Sequence, residues 1–196
     1  MPPPKLLLAS TSPYRRELLA RLRLPFEVAA PGVDETPRDG ETPAALVLRL
    51  AREKAAAVSG RYTDAVVIGA DQVAVLDGAA LSKPGTRDNA TRQLRALRGR
   101  AITFLTAVAV AQGVPARIAA RVVPTQVQFR NLADAVIDAY LDADHPYDCA
   151  GAAKIESLGI ALVERVESPD PTALIGLPLI ALVDLLAEFQ VPVLPG

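Results

Sequence analysis

Lys5-Leu6-Leu7-Leu8-Ala9-Ser10-Thr11-Ser12-Pro13-Tyr14-Arg15-Arg16-Glu17-Leu18-Leu19 passes within a few residues from an apolar, strand-like run into an apolar-periodic helix. A buried strand feeding straight into a helix is the opening of an α/β chain. Ser12 takes the N-cap position and Pro13 the first helical position, where its missing N–H costs nothing. Arg15 and Arg16 then fall in the first turn, against the positive end of the helix dipole. An anion held by Ser10, Ser12, Arg15 and Arg16 removes that conflict, so the segment reads as a phosphate cradle.

Outward from this segment the pattern continues. Thr42-Pro43 repeats the cap-then-proline signature and predicts a helix to Ser59, with Leu46, Val47 and Leu50 on one face and Gly60 as its stop. Ala65 to Ala70 reads as a buried strand that ends at Asp71-Gln72. A second apolar run, Val73 to Leu76, follows it and leads into an Asp77-Gly78 turn. Thr86 to Leu97 predicts a capped helix whose Arg87, Arg92, Arg95 and Arg98 face water. Ile102 to Phe129 reads as two long strands joined at Gln112-Gly113-Val114-Pro115. Asn131 to Leu141 predicts a helix and Gly159 to Val166 a strand. Gly176-Leu177-Pro178 opens a last helix ending near Phe189. The sum is α/β: strands alternate with helices at first, and the middle hairpin is antiparallel, so the sheet is mixed and flanked by helices.

The chain has 196 residues, 51% of them hydrophobic, and a formal net charge of −1. It is long enough to bury a full core as one domain or one domain with two lobes. Its basic residues are scattered, which argues against a nucleic-acid polymer or a membrane surface as partner. Cys149 is the only cysteine and His145 the only histidine, so a disulfide framework and a Cys/His zinc cluster are excluded. Both read as structural. The N-terminal Met1-Pro2-Pro3-Pro4-Lys5 lacks the apolar core of a signal peptide, and a reducing cytoplasm fits. The only lysines are Lys5, Lys54, Lys83 and Lys154.

Glu35 (in Val33-Asp34-Glu35-Thr36-Pro37), Asp71, Lys83 and Glu156 fall just past strands or in short loops, where α/β sheets hold ligands. Two carboxylates such as Glu35 and Asp71, converging on one point, suit a divalent cation of the Mg²⁺ or Mn²⁺ type, with waters and phosphate oxygens filling its remaining positions. Lysines then neutralise the phosphates. No Walker glycine loop and no G-x-G-x-x-G is present.

Together these segments resemble the Maf nucleotide pyrophosphatases. The marks are A-S-T-S-P-Y-R-R-E-L-L from Ala9, V-D-E-T-P from Val33, R-E-K-A from Arg52, I-G-A-D-Q from Ile68, S-K-P from Ser82 and G-L-P-L from Gly176. The resemblance covers nearly the whole chain and implies one domain over 1–196, with the fold of inosine-triphosphate pyrophosphatases and two lobes around a cleft. It implies metal-dependent release of pyrophosphate from a small nucleotide substrate, with Ser10, Arg15, Arg16, Glu35, Lys54, Asp71 and Lys83 lining the site. Asp71 is then the proton acceptor. It also leaves room for a homodimer.

Within the family, Tyr14, Gln72 and Glu156 stand where members cleaving dTTP and UTP are expected to carry arginine, threonine and glutamine. An aromatic, glutamine and glutamate at those places are the combination expected for 7-methyl-GTP. The chemistry agrees. N7 methylation puts positive charge on guanine, which an aromatic face such as Tyr14 attracts. A carboxylate such as Glu156 accepts from the N–H and NH₂ of the guanine Watson–Crick edge but repels the carbonyls of uracil and thymine. Gln72 can bond the guanine carbonyl. Two other readings stay open: a dTTP/UTP pyrophosphatase of the same fold, and a non-catalytic nucleotide-binding regulator of cell division.

Overall fold

β1 (Leu6–Ala9) is buried at all four positions and lies parallel to β3 (Val66–Leu76), with Leu6 opposite Val66 and Ala9 opposite Gly69. A strand covered on both faces has no solvent side to decorate, which is why L-L-L-A and V-V-I-G-A read as continuous apolar runs. These elements come from a computed structural model that describes residues 4–194. The residues Met1-Pro2-Pro3, on which part of the leader reading rests, lie outside the described residues.

β2 (Glu27–Val28) pairs parallel with the other side of β1. β4 (Ala79–Leu81) folds back antiparallel on the end of β3, with Ala74 opposite Leu81. The turn between them puts both Asp77 and Gly78 at positive φ, the geometry that Asp-Gly favours in a two-residue hairpin. β5 (Ala101–Gln112) and β6 (Arg117–Phe129) follow, and β7 (Val163–Glu167) runs antiparallel to β6. Neighbouring strands take the order β2-β1-β3-β5-β6-β7, with β4 beside β3. With helices α1 (Pro13–Ala20), α2 (Pro43–Ser59), α3 (Arg87–Leu97), α4 (Asp134–Asp144) and α5 (Leu179–Glu188), this is the α/β fold with a mixed sheet that the sequence implies. Among the described residues no helix is long and apolar enough to cross a membrane.

The chain divides into two compact units, and the long strands β3, β5 and β6 each contribute residues to both. The first comprises the chain up to Asp71, Thr106–Val123, and the chain from Asp170 on. Its core joins Leu6 and Leu8 of β1, Val66, Ile68 and Ala70 of β3, Leu18 and Leu19 of α1, and Leu182, Leu185 and Leu186 of α5. Alternation along a strand puts Leu7, Val67 and Gly69 on the opposite face, toward α2. Gly69 makes that approach close, since a Cβ there would stand 2.3 Å from the Ala51 carbonyl oxygen and 2.7 Å from the Ala55 nitrogen. The second unit comprises Gln72–Leu105 and Pro124–Pro169. In it α3 packs on α4, burying Leu94, Leu97, Ile137 and Leu141. Arg95 and Arg98 pair with Asp134, and Arg87 pairs with Asp138 and Asp142.

Four elements differ from the sequence reading. β3 runs unbroken through Asp71 and Gln72, so Asp71 lies inside a strand and not past its end. The acid is tolerated there because a cation meets it. Residues Leu158–Leu162 form a 3₁₀ turn, and the strand expected from Gly159 begins only at Val163. At Gly159 a Cβ would lie 2.5 Å from the Lys154 carbonyl oxygen, so the turn is packed against backbone that an extended strand would leave behind. The helix expected over Asn131 to Leu141 starts at Asp134 and runs on to Asp144, and the last helix begins at Leu179. Arg87, Arg95 and Arg98 are tied to α4 carboxylates and are not merely solvated.

Candidate active site

In the first unit three charged side chains from three segments meet. The Lys54 ammonium on α2 lies 2.7 Å from Asp71 Oδ1 on β3 and 2.7 Å from Glu35 Oε1 in the loop before α2. Each step of this meeting has a local cause. Thr42 caps α2 by accepting from the Ala45 N–H, and Pro43 fills the first helical position. Gly69 lets α2 settle on β3, and Asp71, two residues on, shares the strand face of Gly69 and so faces the helix that carries Lys54. Lys54 is 4% exposed and Asp71 9%, whereas the Glu35 side chain is 54% exposed. A lysine this buried persists only when paired, and here it donates to both acids. The cluster keeps one negative charge in excess.

The segment from Ser10 to Arg16, read from the sequence as a phosphate cradle, divides into buried and exposed members. Ser10 is buried, and its Oγ accepts from the Ser12 N–H at 3.1 Å. Ser12 is the N-cap of α1, its Oγ accepting from the Arg15 N–H at 3.4 Å. The Arg15 side chain is half-buried and donates from Nε to the Gly176 carbonyl at 3.0 Å. Burial pulls its guanidinium below the ordinary arginine value, and the carboxylates of Asp71 and Glu35 oppose that shift, so Arg15 lies in the field of the cluster. Arg16 is exposed. Two arginines expected to act as a pair are therefore one part-buried residue beside the cluster and one solvent-facing residue. Tyr14 between Pro13 and Arg15 is half-buried.

Asp170 and Thr172, absent from the sequence reading, hold the turn ahead of α5 on which Arg15 rests. Asp170 is 2% exposed; its Oδ1 accepts from the Thr172 N–H and its Oδ2 from the Ile180 N–H at 2.7 Å. The Thr172 hydroxyl accepts from the Leu179 N–H at 2.8 Å. Gly176, at φ +117, takes a conformation open chiefly to glycine, and a Cβ there would stand 3.5 Å from Arg15 Nε. The signal was present as Asp-Pro-Thr ahead of a helix start, a turn-forming spacing.

Three expected residues belong to the second unit. Gln72 follows Asp71 in β3 and is half-buried, while Lys83 is exposed in the loop after β4. Glu156 lies at the surface of a turn bound to the end of α4: Lys154 Nζ donates to the Asp144 carbonyl at 2.9 Å, Tyr140 Oη accepts from the Lys154 N–H at 2.9 Å, and the Ser157 hydroxyl donates to Asp144 Oδ1 at 2.7 Å. Partial desolvation raises the Glu156 carboxyl above its ordinary value, with Asp144 and Asp148 adding to the rise and Lys154 opposing it. Burial pushes the Cys149 thiol up to about 12, which leaves it protonated at neutral pH.

Among the described residues no group of three or more His, Cys, Asp and Glu side chains is placed to hold a metal ion. The donor chemistry nonetheless fits one kind of ion. Mg²⁺ and Mn²⁺ are bound through one or two carboxylates plus substrate phosphates and waters, not by a closed protein cage. Glu35 and Asp71 are two hard oxygen donors already turned to one cationic point.

The chain is 58% identical over 191 residues to a 7-methyl-GTP pyrophosphatase of Thiobacillus denitrificans, covering 97% of this chain and 95% of that protein. Proteins of the same name from Bordetella pertussis (57% over 194 residues, 99% and 96% covered) and Cupriavidus metallidurans (55% over 189 residues, 96% and 95%) are similarly close. Among solved structures, the Ham1 protein of Staphylococcus aureus matches with a TM-score of 0.46 and 14% identity, over 65% of this chain and 72% of that one. The family model described as Maf-like protein matches residues 5–189, and with that span and these near-full-length relatives the chain belongs to the Maf-like protein family.

Proposed function

We propose that this protein hydrolyses 7-methyl-GTP to 7-methyl-GMP and pyrophosphate, clearing a modified nucleotide from the cytoplasmic pool, with residues 1–196 acting as one functional domain. The observation that carries the reaction is the Lys54 ammonium held between Asp71 and Glu35. A buried cation shared by two acids, one of them half-exposed, is a poor stability device, because well-packed apolar residues of similar volume serve a core at least as well. It is a good device for handling a polyphosphate.

Asp71 Oδ1 is engaged by Lys54, so Oδ2 is the oxygen that orients the attacking water and takes its proton. The water oxygen bonds to the phosphorus next to the nucleoside, the bond from that phosphorus to the bridging oxygen breaks, and pyrophosphate leaves. Lys54, Lys83 and Arg15 face the phosphate oxygens and the leaving group, where charge builds up; Ser10, Ser12 and the α1 N-terminus hold the phosphate chain, with Arg16 at its solvent edge. Glu35 and Asp71 would hold a divalent cation, which would supply charge neutralisation at the phosphates. Tyr14 stacks on the methylated base, Glu156 accepts from its N–H and NH₂ groups, and Gln72 donates to its carbonyl. Relatives at 55–58% identity that bear the 7-methyl-GTP name support this choice of base.

The test is pyrophosphate release by the purified protein with Mg²⁺ or Mn²⁺ on 7-methyl-GTP, GTP, dTTP, UTP and CTP at equal concentration. Fastest turnover on 7-methyl-GTP is expected. Preference for dTTP or UTP would sink the roles of Tyr14, Gln72 and Glu156, and no turnover on any nucleotide would sink the enzyme.

A further inference from the structure

Glu35 is the most exposed member of its cluster. Residues 34–40 are all exposed, so no apolar side chain anchors the loop, and the Glu35 carboxylate reaches Lys54 only if the backbone delivers it. Two polar devices flank it. On one side Asp34 Oδ1 accepts from the Thr36 N–H at 2.9 Å and from the Thr36 hydroxyl at 2.7 Å, closing a tight turn around Glu35. On the other, the Thr36 carbonyl accepts from Arg49 Nη2 at 3.1 Å.

Arg49 does more than touch Thr36. Its Nε and Nη2 grip both oxygens of Glu41 at 2.6 and 2.7 Å, and its Nη1 donates to Glu53 at 3.0 Å. Glu41 in turn accepts from the Arg38 N–H at 3.0 Å, and Arg38 reaches Glu53 at 2.9 Å. One guanidinium thus binds the loop beside Glu35 and again at its exit. The pair is well covered, with side-chain exposures of 13% for Arg49 and 9% for Glu41, unlike an ordinary surface ion pair. Arg49 also shares α2 with Lys54, five residues away or about 7.5 Å along the axis, so clamp and target ride on one rigid element.

We propose that Arg49 is a positioning residue that sets Glu35 against Lys54 by fastening the 34–41 loop to α2. It acts through Glu35, which rests on the reading of Glu35 as a site residue, and it touches neither substrate nor reacting atoms. Lysine cannot replace it, because three acceptors in three directions need the planar five-donor fork.

The experiment is a double-mutant cycle of Arg49→Met and Glu35→Ala, read by 7-methyl-GTP turnover and by hydrogen exchange at residues 33–41. In the native background R49M is expected to lower kcat/KM by about 10- to 100-fold, the scale of a misplaced group, and in the E35A background to lower it no further. Exchange at 33–41 should rise at least about tenfold while the buried amides of α2 stay protected. R49K should leave thermal stability near wild type without restoring activity, which separates geometry from charge. Equal losses in both backgrounds, or unchanged exchange at 33–41, would overturn the proposal. Should R49M fail to fold, E41Q removes one arm of the clamp and runs through the same cycle. If no nucleotide is hydrolysed by the native protein, the proposed function falls, while the exchange measurement still decides the clamp.

Discussion

Lys54 is the residue on which the candidate site turns, and its surroundings predict how its loss reads out. Lys54→Met leaves buried Asp71 without the cation that hydrogen-bonds it, so the variant should lose both activity and about 3–5 kcal/mol of stability, measured as a lowered urea midpoint. Asp71→Asn keeps shape and a hydrogen bond to Lys54. It should therefore fold normally while pyrophosphate release falls by about 10² or more. Glu156 makes a different prediction. Its folded carboxyl titrates above the ordinary value of 4.5, so the native state is weakened as pH rises and Glu156 ionises among Asp144 and Asp148, with Lys154 only partly offsetting them. Glu156→Gln should then raise Tm at pH 7–8, have no effect well below pH 4.5, and lose the preference for 7-methyl-GTP. A Tm at pH 7–8 that does not rise would show that the Glu156 carboxylate costs the fold nothing.

Between elements, the close approach of α2 to β3 at Gly69 sets Lys54 against Asp71. Gly69→Ala would place a methyl 2.3 Å from the Ala51 carbonyl, and because the obstacle is helix backbone, α2 itself must move away from β3. Overpacking of this kind costs about 1–3 kcal/mol or more. Activity should fall out of proportion to Tm, since the shift carries Lys54 off Asp71; a variant with normal turnover would show that the contact is slack. The elements around this contact were legible from local signals. Thr42-Pro43 and Ser12-Pro13 marked two helix starts, and buried apolar runs marked β1 and β3. What was not legible depended on partners distant in sequence. Asp71 looked like a strand end because its neutralising lysine lies 17 residues away on α2. Arg15 and Arg16 looked equivalent because what distinguishes them, the Gly176 carbonyl 161 residues on and the acids Asp71 and Glu35, lies far off in sequence. The two-residue β2 has no periodicity to read, and apolar Leu158–Leu162 suits strand or 3₁₀ turn equally well until Gly159 packs on Lys154.

For the molecule as a whole, the cluster separates metal dependence of activity from metal dependence of folding. In a structural metal site the ligands are mutually repulsive without the ion, so chelation unfolds the protein. Here the two acids already share a protein cation, Lys54, and the apolar core of β1, β3, α1 and α5 builds on the opposite face of β3 from Asp71. Treatment with EDTA should therefore abolish pyrophosphate release while moving Tm by less than about 2 °C, a shift worth under roughly 1 kcal/mol for a chain of this size. Adding Mg²⁺ or Mn²⁺ back should restore turnover at once, without a refolding delay. With the Asp71→Asn variant, 7-methyl-GTP should raise Tm, because binding to the native state stabilises it by about 2.7 kcal/mol at a hundredfold excess over Kd. A chelated protein that unfolds would mean that the carboxylates need the ion more than they need Lys54, and Lys54 would then have to be reassigned from counter-charge to phosphate ligand alone.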